Sequence, residues 1–128
     1  MNYLVHRLSM KDAAKILASI KLKYGARSDV TIGGVQDRIK QVRKMNGCEW
    51  IVVEDNTGRC VCIASVFERD TMCYSVVPSL FLRTKLPIAM AKAVDEFVCD
   101  KIAPSNKVMG APPFVGYVAI GELANYHF

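Results

Sequence analysis

Three extended segments with barely room to turn between them, from Cys48 to Val77, constrain this chain more than anything else in its sequence. Trp50-Ile51-Val52-Val53 is aromatic and β-branched, Cys60 to Phe67 is a second apolar run, and Met72 to Val77 is a third. Such residues suit a pleated, half-buried surface. Asp55-Asn56-Thr57-Gly58 and Glu68-Arg69-Asp70 supply the turn chemistry between them. Connections this short leave no room for a crossover, so the three strands must form an antiparallel meander. Pro78, which has no N–H for the ladder, is expected to end the third strand.

A sheet needs cover on its faces, and the flanking segments read as that cover. Tyr3 to Leu8 alternates as a short strand. Ser9, with Asp12 three residues on, resembles a capping box that opens a helix. Ala13, Ile16, Leu17 and Ile20 recur at helical spacing, with Lys11, Lys15 and Lys21 on the wet side and Gly25 at the end. Residues 26–34 carry Ser, Asp, Thr and Gly-Gly and read as a loop. A second helix is expected over Val35–Met45 on an apolar line of Val35, Ile39 and Val42, closed by Asn46-Gly47. After the meander, Leu86 to Ile102 reads as a helix with Pro87 in its first turn and a buried line of Leu86, Met90, Ala93 or Val94, and Phe97. Lys107–Met109 and Phe114–Ile120 follow as two strands, split by Gly110-Ala111-Pro112-Pro113. The reading is an α/β (α+β) chain with a mixed, mostly antiparallel sheet flanked by helices, in the order β-α-α-β-β-β-α-β-β. Residues 1–128 are expected to form one domain.

That order, together with Val77-Pro78 before a turn containing Arg83 and a helix, resembles the GNAT (N-acetyltransferase) superfamily over nearly the whole chain. The resemblance implies an acyl-CoA-dependent N-acyltransferase that uses acetyl-CoA. In that family the fourth strand ends in hydrophobic-x-Pro, and Arg/Gln-x-x-Gly-x-Gly/Ala opens the next helix, whose backbone amides hold the pyrophosphate. Carried onto this sequence, the cofactor-binding residues are Val77, Arg83, Thr84, Lys85 and Leu86. Leu86 and Ile88 stand where the family has small residues that let phosphate approach the backbone, and Pro87 removes a donor. Gly116-Tyr117-Val118-Ala119-Ile120-Gly121 looks like the family's Gly-Phe strand with the preceding helix deleted. The catalytic residues stay open: Glu68 and Glu122 are candidate bases, and Tyr117 and Tyr126 could offer a phenol as acid, although each also reads as an ordinary structural residue.

The divergent loop and short tail imply an alternative, a GNAT-fold binding or assembly protein without catalysis. Its brevity is also in the style of compact genomes, bacteriophage among them. Charge adds a third reading. Of a net +5, residues 1–50 carry ten basic against four acidic side chains, and the remainder seven against eight. Arg38, Lys40, Arg43 and Lys44 make the second helix basic, which would suit an acidic protein or a nucleic acid. Cys48, Cys60, Cys62, Cys73 and Cys99 are an odd set without a C-x-x-C pair and mostly inside apolar runs, so they read as reduced core thiols. His6 and His127 have no ligand spacing around them, and no metal is expected. No apolar run approaches a membrane span and no secretory leader is apparent, which predicts a cytoplasmic protein. The edges of a small meander could also pair with a second copy.

Overall fold

The computed structural model describes residues 2–25, 29–45, 47–70, 73–82, 87–102 and 114–117. In chain order the elements are β1 (Leu4–Arg7), a 3-10 turn (Met10–Asp12), α1 (Ala13–Tyr24), α2 (Ile32–Arg43), β2 (Cys48–Glu54), β3 (Cys60–Asp70), β4 (Cys73–Phe81), α3 (Ile88–Phe97), a π turn (Val98–Ile102) and β5 (Phe114–Tyr117). They form a five-stranded sheet in the order β1-β2-β3-β4-β5. The first four strands are antiparallel, and β5 lies parallel to β4. The meander's two edges are thus covered, by β1 on one side and β5 on the other.

Alternation along the strands builds two cores. Trp50, Val52, Ile63 and Leu80 face α1 and α2, where they pack with Ile16, Ile20, Val35, Ile39 and Val42. Ile51, Val53, Ala64, Val66 and Val76 take the opposite face, under Met90, Val94 and Val98. Two bulges make this possible. Val53 pairs with Cys62 and Glu54 with Cys60, so Val61 is the extra residue, and Val61 and Cys62 both join the α3-side core. Ala64 pairs with Pro78 and Ile63 with Leu80, so Ser79 is extra. Val76 and Leu80, four residues apart, would share a face in a regular strand; the bulge sends them to opposite ones.

This bulge corrects the expectation that Pro78 ends its strand, since β4 runs on to Phe81 and Leu82 N–H still donates to the Val61 carbonyl at 3.1 Å. A bulge already interrupts the ladder, and there a residue without an N–H is tolerated. Three other boundaries move. Glu68-Arg69-Asp70 belongs to β3, with Glu68 opposite Tyr74 and Asp70 opposite Cys73. Backbone groups make the ladder, so it continues through charged residues as far as the connection allows. Helix α2 starts at Ile32, three residues before the expected Val35, because Thr31 caps it: its Oγ1 accepts from Gly34 N–H at 3.0 Å. Helix α3 starts at Ile88, with Pro87 as its N-cap and not inside its first turn.

The β2–β3 connection is the turn its residues announce. Asp55 Oδ1 accepts from Thr57 N–H at 2.9 Å, Thr57 Oγ1 at 2.5 Å and Arg59 N–H at 3.1 Å, and Gly58 takes the left-handed φ of 82°. The Thr57 hydroxyl, with backbone donors behind it, holds the Asp55 carboxyl below the usual range despite some burial. Because the folded value is the lower one, this stabilisation is complete above the unfolded carboxylate range and disappears as pH falls through the folded value. Asp55→Asn should cost about 1 kcal/mol at neutral pH and flatten the acid limb of a urea-midpoint-against-pH curve. An unchanged acid limb would show that Asp55 is not the group responsible.

Candidate functional site

The end of β4 and the start of α3 are where the expected cofactor residues fall. Val77 lies in β4 opposite Ser65, just before the bulge. Arg83, Thr84, Lys85 and Leu86 lie outside the described residues. On the far side of that connection Pro87 has φ −65° and ψ 143° and offers α3 no side-chain cap. The first helical bond there is Ala91 N–H to the Pro87 carbonyl, at 3.0 Å. The N–H groups of Ile88, Ala89 and Met90 therefore precede any intrahelical acceptor, as at every helix start. Pro87, as the N-cap, has no N–H of its own, so three of the four donors of a helix start remain. Ile88, in the place of a small residue, is 75% exposed.

The bulge creates a second feature. The Ser79 hydroxyl is buried, with no hydrogen-bond partner among the described residues. Parallel pairing of β4 with β5 runs from Cys73–Phe114 to Val76–Tyr117. Beyond it, among the described residues, Val77 to Phe81 are paired to β3 alone. Tyr117 thus stands in register next to the bulged half of β4, whereas Glu68 is in β3 opposite Tyr74, and Glu122 and Tyr126 lie outside the described residues.

A polar cluster that spacing did not announce lies on the α1 side of the sheet. Alternation from Trp50 and Val52 brings Glu54 to this face, and His6 opposite Val52 shares it. His6 Nε2 lies 2.6 Å from Glu54 Oε2 and 3.6 Å from Asp12 Oδ1, while Lys15 Nζ donates to Glu54 Oε1 at 2.6 Å. Asp12 Oδ2 accepts from Ser9 N–H at 2.8 Å, the backward half of the expected capping box. Burial pushes the Glu54 carboxyl up, but hydrogen bonds from Lys15 and His6 outweigh it and the net shift is downward. The same bond to Glu54 raises the Lys15 ammonium. Lys15 is half exposed, so the pair is screened on one side and is worth less than a fully buried one. The residues come together across 48 positions of sequence, and the only sequence signal was an acid closing the apolar run of β2.

Next to this cluster Ser19 Oγ donates to the Cys60 carbonyl. Burial pushes the Cys60 thiol up to about 12 and raises Cys62 further. Cys60, Cys62 and Cys99 are buried and Cys48 is half-buried; the Cys73 side chain lies outside what is described. At the Arg7–Cys48 end, a cavity of about 260 Å³ is lined by Arg7, Arg43, Cys48, Glu49 and Trp50. Arg7 is held by Glu49 at 3.2 Å and by the Lys101 carbonyl at 2.8 Å. On α2, Lys40, Arg43 and Lys44 are exposed, and Arg38 is half-buried against Gln41.

No protein-family model matches the sequence, and no curated protein is significantly similar to it. Solved structures are. Glucosamine-6-phosphate N-acetyltransferase from Arabidopsis thaliana superposes with a TM-score of 0.52 at 19% identity, over 95% of this chain and 85% of that one. A GNAT-family acetyltransferase from Streptococcus pneumoniae gives 0.52 at 12%, over 84% and 70%. An aminoglycoside N-acetyltransferase in complex with CoA gives 0.50 at 5%, over 94% and 79%. The chain has a GNAT-like fold, a mixed sheet with helices on both faces. Phe114–Tyr117 is the direct parallel neighbour of β4; of the stretch read as the Gly-Phe strand, Gly116–Gly121, positions 118–121 lie outside the described residues. The expected strand at Lys107–Met109 lies outside the described residues. Among the described residues no helix is long and apolar enough to cross a membrane.

Proposed function

We propose that this GNAT-like domain is a small acyl-CoA-dependent N-acyltransferase with a divergent cofactor loop. The observation that carries the reading is the bulged β4 itself. Its bulged end, through Phe81, comes shortly before α3 in the chain, and α3 starts without a side-chain cap. Three first-turn N–H donors there suit the anionic end of a ligand. The orphaned Ser79 hydroxyl at the bulge is one more group in want of a polar partner. When bound, acetyl-CoA supplies an activated acyl thioester for transfer to an amine. The chain's part is to hold the two reactants in line, the end of β4 aligning the acyl-bearing arm and the α3 amides, with Arg83, Thr84 and Lys85, binding the phosphates. Tyr117, whose backbone pairs with Val76, is one candidate proton donor.

Ile88 is the departure with a measurable consequence. A β-branched side chain at the first helical position crowds the approach to the donors, and alanine would relieve it without loss of helix propensity. Titration calorimetry should detect acetyl-CoA binding to the wild-type chain, and Ile88→Ala should tighten it by roughly threefold to tenfold. Silence at millimolar acetyl-CoA in both proteins would leave a GNAT-fold binding module as the better reading. The acceptor amine would be found by following thiol release across amine classes.

A further inference from the structure

The polar cluster on the α1 face is separate from the β4–α3 junction, and its role does not depend on the acyltransferase reading. His6 comes from β1, Asp12 from the 3-10 turn and Glu54 from the end of β2. From each, one ligand-capable atom lies within 4.8 Å of the others. We infer that His6 Nε2, Asp12 Oδ1 and Glu54 Oε2 form a binding site for a divalent transition cation, with zinc the natural probe.

Four features support it. First, the spacing: a cation held at about 2.0–2.2 Å by N and O ligands needs those ligands roughly 3.3 Å apart. The 3.6 Å between His6 and Asp12 already suits this, and the 2.6 Å between His6 and Glu54 needs only to open. Second, His6 Nδ1 lies 3.0 Å from the Arg7 carbonyl. A metal-binding imidazole almost always donates its other N–H to such an acceptor, which fixes the ring and leaves Nε2 as ligand. Third, Asp12 is pinned through Oδ2 by the Ser9 N–H, so Oδ1 is left toward His6. Fourth, the position calls for positive charge. Two carboxylates, each with a side chain only 7% exposed, converge on the Nε2 of a side chain that is 31% exposed. A divalent cation would meet that demand, balancing both carboxylates and leaving a position open to water. Lys15 is the competitor, holding Glu54 Oε1 from a half-exposed position from which it can withdraw to solvent.

That competition makes the inference testable in both directions. Zinc chloride titrated calorimetrically into the full-length chain should bind saturably at one per chain and raise the thermal midpoint. His6→Ala and Asp12→Asn should each weaken binding at least tenfold. Lys15→Met, which removes the competing ammonium and keeps the apolar stem, should tighten it about tenfold. Cobalt chloride should give a visible spectrum without a thiolate charge-transfer band, which separates this site from cysteine ligation. Circular dichroism of the metal-free variants checks their folding, and if Asp12→Asn does not fold, the Lys15→Met comparison decides. Absence of binding at millimolar zinc, affinity unchanged in His6→Ala or in Lys15→Met, or a thiolate band in the cobalt spectrum would each overturn the assignment.

Discussion

Ile63→Ala should destabilise the chain by roughly 2–5 kcal/mol, the range for removing most of a fully buried aliphatic side chain. Ile63 has no exposed surface and sits in the core under α1 and α2, opposite Leu80 across the β3–β4 ladder. A cavity at this point borders both helices and the bulge, and none of these can collapse into it without moving the sheet. For a domain whose whole stability is about 5–15 kcal/mol, such a loss removes a large share. A urea titration reads it directly as a lower midpoint with an unchanged slope. Ile88→Ala is the built-in control: at 75% exposure it should shift stability by no more than about 0.5 kcal/mol. Equal effects at the two positions would mean that the core under α1 and α2 is wrongly assigned.

Deleting Ser79 should leave a cooperatively folded protein whose affinity for acetyl-CoA is at least tenfold weaker. Removing the extra residue of the bulge makes Pro78 and Leu80 consecutive while preserving the pairs Ala64–Pro78 and Ile63–Leu80. Cross-strand partners share a face, so Leu80 stays in its core and the sheet keeps its sidedness. What is lost is the kink, the buried hydroxyl and the local break in the ladder, at a structural cost of roughly 0.5–1.5 kcal/mol for a regular ladder that meets a proline. On the proposed function, that kink turns the end of β4 toward the ligand, so calorimetry should show affinity reduced at least tenfold. A deletion variant that fails to fold would contradict the face assignments. One that folds and binds as the wild type does would remove the bulge from the functional argument.

The meander, both apolar faces of the first two helices and the mixed α/β class were legible because alternation and helical spacing are written in adjacent residues. Met90 and Val94 appear buried on α3 as the spacing predicts, and Val35, Ile39 and Val42 on α2. What the sequence misstated were endings. Pro78 and Glu68–Asp70 look like stops, yet whether a strand stops depends on its neighbour: β4 carries Pro78 past β3 through a bulge, and Glu68 and Asp70 of β3 go on pairing with β4. Gly33-Gly34 looks like loop until Thr31 is placed as its cap. The His6 cluster was hidden for a different reason: its members are local to nothing but the fold. The residues matched to the family's cofactor turn, 83–86, are those on which sequence carries the reading alone.

The buried thiols have a consequence in redox terms. With its value raised to about 12, Cys60 is thiolate in only about one molecule in 10⁵ at neutral pH, and thiolate is the species that oxidants and disulfides attack. Cys60 and its higher-lying neighbour Cys62 therefore behave as small apolar residues that an oxidising episode passes over while the fold stays closed. Among the described cysteines, exposure to such chemistry concentrates at half-buried Cys48, on the wall of the arginine-lined cavity and away from both the β4 bulge and the His6 cluster. Among the described cysteines, oxidative damage would thus begin at one end of β2.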